Sequence, residues 1–202
     1  MNERGATRTG FNAARAGCSL GTMRIRTATI TRLRDAMLES GRRPSTVVSS
    51  AYETLTRNQL LSPEEVHALT RVEPLAEIMY LMMEADGRFN EDERDAVRGA
   101  IRGLSNNLLR TGTINVMFEN FGARLAEHGR DQRMHEIAEE LADHVSDAES
   151  AFVLAAAIAL ADDDVDEAEN AFINQLGEWL SISAKRASEL LDQLEEDREQ
   201  TV

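Results

Sequence analysis

The chain has 202 residues, a net charge of -14, and 42% apolar but only 4% aromatic residues. Its alanine, leucine and methionine content suits close-packed helices and leaves few β-branched or aromatic runs for strands. One cysteine, Cys18, excludes an internal disulfide, no apolar run reaches the length of a membrane span, and no signal-peptide core opens the chain, so a cytoplasmic setting is expected.

The charge is uneven. Residues 1–45 hold nine arginines against three acidic residues, a head of +6 that leaves -20 for the remainder. Such a body repels nucleic acid and attracts cations or basic partners. The head can meet that body, a partner, or neither.

Residues 1–22 have no steady period and read as a disordered tail. From 27 to 39, Ile30, Leu33 and Met37 recur at helical spacing, with Arg32 and Arg34 off the apolar stripe. Ser45 is placed to cap a second helix carrying Val48, Ala51, Tyr52 and Leu55. Ser62-Pro63-Glu64-Glu65 has the form of a capping box with proline in the first turn. Pro74 is expected to end that helix and open another, which buries Leu75, Ile78, Met79 and Met82.

Further along, Thr113 is expected to cap a helix with Ile114, Met117, Phe118, Phe121 and Leu125 inward. Gly129 separates it from a helix near 131–144, and Ser146 with Glu149 reads as another capping box. The alanine-rich stretch from Phe152 to Ala161 should be central, because small side chains let neighbouring helices approach closely. Ser183 starts a last helix, and Glu195–Val202 is expected to fray. The expected organisation is a tail over 1–22, a helical extension over 23–60, an all-helical domain over 61–196 and an acidic tail over 197–202.

One stretch occurs twice, 76 residues apart. Ala85-Asp86-Gly87-Arg88-Phe89-Asn90-Glu91-Asp92-Glu93 is matched by Ala161-Asp162-Asp163-Asp164-Val165-Asp166-Glu167-Ala168-Glu169. Each copy joins an apolar helix to a second helix through an acidic turn. Neither half can bury its stripe alone, so the fold class predicted is all-α, a compact bundle of two pseudo-symmetric halves.

The turns look like the latter part of a calcium loop, but the first and third loop positions hold Met82 and Glu84, then Ile158 and Leu160. Asn90 with Glu93, and Asp166 with Glu169, suffice as capping pairs. Asp86, Asp162 and Asp163 exceed what capping needs. If the turns met, a divalent cation, calcium or magnesium, would suit Asp86, Asn90, Glu93, Asp162, Asp163, Asp166 and Glu169. A bundle di-iron site wants two Glu-x-x-His patterns, whereas the chain has one, Glu64 to His67. No phosphate loop, nucleophile elbow or zinc-protease pair occurs, so no enzyme is predicted.

The doubled signature resembles that of the tellurite-resistance TerB-like family, shared with the N-terminal domain of membrane-attached DnaJ-like co-chaperones, over about residues 68–196. The resemblance implies a compact all-helical domain of stress-response and envelope-associated systems, with acidic turn residues as metal ligands or partner contacts. Asn90 stands at an often acidic place and Asp163 replaces the usual glycine of the second turn. The function expected is a non-enzymatic stress-associated interaction domain that binds a protein partner, basic or envelope-associated, and a divalent cation. The alternatives are a scaffolding module without metal, then an enzyme.

Overall fold

The computed structural model describes residues 25–40, 52, 55, 56, 58, 60–85, 91–160 and 167–199. Among them lie eight α-helices and no strand. They are α1 (Thr27–Glu39), α2 (Pro63–Met83), α3 (Glu91–Leu104), α4 (Thr111–His128), α5 (Arg130–Ala142), α6 (Val145–Ala159), α7 (Glu167–Trp179) and α8 (Ala184–Glu199). The tail over 1–22 and most of the helix expected after Ser45 lie outside the described residues, although Tyr52 is fully buried.

Helices α2 and α6 form the central pair and are apolar nearly all round, as buried helices must be. Ala151, Ala155, Ala156 and Ala159 leave little bulk on α6, and Leu75, Ile78, Met79 and Met82 on α2 are almost wholly shielded from water. Burying each such large side chain is worth about 1.5–3 kcal/mol. That offsets Pro74, where the sequence predicted a break. Instead α2 runs straight through the proline, which is itself buried. A proline inside a helix costs about 3 kcal/mol, less than the apolar burial on either side of it supplies.

The packing pattern of the first four helices recurs in the last four. Helix α1 packs on α3 and α6, as α5 packs on α7 and α2. Buried positions correspond as well. Ile30, Leu33 and Met37 match Met134, Ile137 and Leu141, while Val97, Ala100 and Leu104 match Ile173, Leu176 and Leu180. Met117, Phe118 and Phe121 match Leu190, Leu191 and Leu194. The N-terminal helix thus contributes to the same core as the doubled unit.

Two connections break the pattern. From Met37 to Leu69 the chain takes 32 residues, whereas from Leu141 to the matching Val145 it takes four. Leu104 to Ile114 spans ten residues and Leu180 to Ala187 spans seven.

Helix starts follow the sequence in some places only. The Ser62–Glu65 capping box is complete, and Ser183 Oγ accepts the backbone N–H of Arg186. Thr113 is not a cap: α4 begins at Thr111, and Thr113 lies buried in its first turn. Ser146 is not a cap either, since α6 begins at Val145 and Glu149 instead receives the guanidinium fork of Arg186 from α8 at 2.7 and 2.8 Å. The acidic end expected to fray is helical to Glu199, and Asp197 meets Arg32 at 2.9 Å and Thr29 at 3.1 Å on α1.

Candidate functional site

The helix ends that flank the first irregular connection lie beside the second. The last turn of α1, the first turns of α2 and the α3–α4 connection enclose a groove of about 520 Å³. Its floor is apolar: Met37, Ala68, Val72 and Leu104 all belong to the core. Its banks carry Leu38, 54% exposed, and Leu108, 43% exposed. Arg34, Glu64, His67 and Arg71 stand around it.

Local chemistry explains why leucines face outward here. Met37 and Leu38 are neighbours in α1, and only Met37 lies on the stripe that turns inward. After α3, Asn106 and Asn107 take left-handed backbone angles, φ 52° and 61°. Asparagine tolerates that region better than most residues. The tight turn is held by Asn107 N–H donating to the Arg102 carbonyl at 2.7 Å and Leu108 N–H to the Ser105 carbonyl at 3.1 Å. It drives Leu109 into the core and leaves Leu108 on the surface.

The rim is polar and held in place. Arg34 donates to Asp35 through Nε and Nη2, and its Nη1 reaches Asn106 Oδ1 at 3.3 Å. Arg71 Nη2 lies 2.9 Å from His67 Nε2. A guanidinium can only donate, so Nε2 accepts and the ring proton sits on Nδ1. Glu64, in the first turn of α2, is held below the usual carboxylate range by its own backbone N–H and by Ser62. An apolar trough with polar margins can bind an amphipathic segment; it offers no aligned nucleophile and base.

A second polar cluster lies inside the bundle. Glu77 on α2 is 2% exposed at its side chain, and both its oxygens are engaged. Arg124 of α4 donates to it at 2.7 Å, and Arg133 of α5 donates through Nε at 2.9 Å and Nη2 at 3.0 Å. Arg124 also reaches Glu73 at 2.7 Å. Burial raises the Glu73 carboxyl above its ordinary value, and the Arg124 guanidinium opposes that rise without cancelling it. Burial, with the Glu73 charge adding to it, raises the phenol of Tyr52 well above its ordinary value.

The residues singled out in the acidic turns divide into two sets. Asp86, Asn90, Asp162, Asp163 and Asp166 lie outside the described residues, as do Phe89 and Val165. Glu93 and Glu169 are half-buried in the first turns of α3 and α7, and each has an interaction partner. The expectation of a divalent cation, calcium or magnesium, is corrected. Among the described residues no group of three or more histidine, cysteine, aspartate or glutamate side chains is arranged to hold a metal ion. Of the inward-facing carboxylates, Glu73, Glu77 and Glu149 are neutralised by arginines, while Asp147 is buried apart from them, and others such as Glu139, Asp192 and Glu195 are spread along exposed helix faces. Also among the described residues, no helix is long and apolar enough to cross a membrane.

Sequence reasoning missed the groove. Its signals were present but weak: adjacent apolar pairs, Met37-Leu38 and Leu108-Leu109, of which only one member can face inward.

Residues 73–192, more than half of the chain, match the family model described as tellurite resistance protein TerB. No curated protein and no solved structure gives a match. The matched stretch begins inside α2 and ends inside α8, so α1 and the first turns of α2, two of the groove's three walls, precede it.

Proposed function

Because this chain belongs to the TerB family, we propose that it acts as a non-enzymatic, stress-associated interaction domain whose groove receives part of a protein partner. The observation that carries the reading is the pair of exposed leucines, Leu38 and Leu108, lining one groove with an apolar floor and a polar margin. Exposed apolar surface rimmed by polar groups is a mark of interaction sites. Partner helices commonly use such grooves, anchoring a few side chains spaced along one face.

The test is site-directed photocrosslinking in cells that make the full chain, before and during oxyanion challenge. A photoreactive residue at position 108 should capture a defined protein that the same residue at the exposed position 185 does not. Leu38→Glu should remove that product without changing the amount of folded chain. Identical crosslinking patterns at positions 108 and 185 would sink the proposal.

A further inference from the structure

The ions around the groove are already engaged. Two guanidiniums, Arg34 and Arg71, stand there with the Glu64 carboxylate, and Asp35, just outside the lining, supplies a second carboxylate. Arg34 gives Nε and Nη2 to Asp35 at 3.0 and 2.9 Å and turns Nη1 to Asn106 Oδ1. Arg71 gives Nη2 to His67 and has a further partner. Glu64 is held by its own backbone N–H and by Ser62.

The donors left open on this margin carry no charge. Among the described residues, the Nδ1–H of His67 and the amide nitrogen of Asn106 take part in no hydrogen bond, and both residues line the groove. A charged side chain brought here gives up water and finds no free counter-ion. An amide or hydroxyl oxygen loses less on leaving water and can accept from either donor.

We infer that the groove takes an apolar segment of a protein partner whose flanking side chains are polar but uncharged (Ser, Thr, Asn or Gln), and that it rejects charged flanks of either sign. This rests on the reading of the chain as a partner-binding domain and adds the chemistry of the partner. A margin that leaves a wrong partner's charge unpaired gives specificity by rejection. The net charge of -14 repels acidic flanks further, and it draws basic ones to the chain without placing them in the groove.

The experiment uses the full chain and three synthetic peptides sharing one leucine stripe, flanked by glutamines, glutamates or lysines. Methyl NMR reports the place of binding and calorimetry the affinity, each at low and high salt. The glutamine peptide should shift the Leu38 and Leu108 methyls and bind there about tenfold tighter than either charged peptide. Its affinity should hold as salt rises, because no ion pair is made. Asp35→Asn frees Arg34 from its carboxylate; it should tighten the glutamate peptide about threefold and leave the glutamine peptide unchanged. Leu108→Glu should abolish binding of the glutamine peptide without changing the melting temperature.

A charged peptide that moves the same methyls and binds as tightly as the glutamine peptide would overturn the uncharged partner and leave the groove standing. An affinity of the glutamine peptide that falls with salt would do the same. Failure of all three peptides to move the Leu38 and Leu108 methyls would overturn the inference. The groove itself falls only if the crosslinking patterns at positions 108 and 185 are identical as well.

Discussion

Gly103 of α3 lies so close to Ile30 of α1 that a Cβ on the glycine would overlap Ile30 Cγ2. Gly99, one turn earlier on the same helix, has nothing within 4 Å of the place its Cβ would take. One glycine permits a helix contact; the other is exposed and unpacked.

The pair therefore makes a matched test. Gly103→Ala should push α1 outward and destabilise the protein by about 1–3 kcal/mol, the range for overpacking. Gly99→Ala should stabilise it by about 0.5–1 kcal/mol, because alanine is the better helix residue. Urea midpoints at constant m-value report both. Stabilisation by both substitutions would show that α1 does not rest on α3 at Gly103.

Glu77 neutralises two arginines from different helices, whereas among the described residues Glu73 is paired with Arg124 alone. Glu77→Ala should cost toward the lower end of about 3–5 kcal/mol, since it removes the buried carboxylate shared by two partly buried arginines and leaves Arg124 with Glu73 and Arg133 with the more exposed Glu136. Glu73→Ala should cost clearly less, because Arg124 keeps Glu77. Thermal unfolding of the two variants decides; equal losses would mean that Glu77 does not hold the three helices together.

Tyr52 fixes the alkaline behaviour. Its phenol is raised chiefly by burial and then by Glu73, so the folded state keeps a proton that the unfolded state releases above the ordinary value of 10.0. A native state that binds more protons than the unfolded one loses stability as pH rises. The Tyr52 contribution is therefore intact below that ordinary value and falls above it. Tyr80 is shifted the same way, again chiefly by burial. Urea unfolding from neutral to alkaline pH should show this decline, shallower in Tyr52→Phe. A Tyr52→Phe profile that superimposes on the wild type would place the phenol in water.

Gly129 joins α4 to α5 with φ 77° and ψ 160°. That region is nearly closed to residues with a Cβ, so Gly129→Ala should cost about 1–3 kcal/mol. The space around it is open, so the loss is one of backbone strain. Calorimetric melting of Gly129→Ala beside Gly112→Ala, an exposed glycine without positive φ, isolates the effect; equal melting temperatures would remove the strain argument.

Much of the fold was legible because burial repeats at helical spacing. Ile30, Leu33 and Met37, or Leu75, Ile78, Met79 and Met82, show their faces in the sequence and are buried as read. Local rules failed where tertiary packing outvoted them. Pro74 looked like a stop until its burial between apolar turns was known, and Ser146 looked like a cap although α6 starts before it. The groove was hidden for another reason. It is made by three segments distant in sequence, and its leucines differ from core leucines only in which neighbour turned inward. The acidic turns drew attention because charge and repetition are visible in one dimension; arginines neutralising glutamates across helices, as at Glu77, are not.

Asp197 stands 168 residues beyond Thr29, to which it is hydrogen bonded. During synthesis at about 5–20 residues per second, α1 leaves the ribosome on the order of ten to thirty seconds before that carboxylate exists. Its other supports come in turn, for α3 follows α1 by about fifty residues and α6 by more than a hundred. Thus α1, the first of the described helices to be made, is not fully fastened until the last of them exists, and its apolar stripe of Ile30, Leu33 and Met37 waits for α3 and then α6 in the nascent chain.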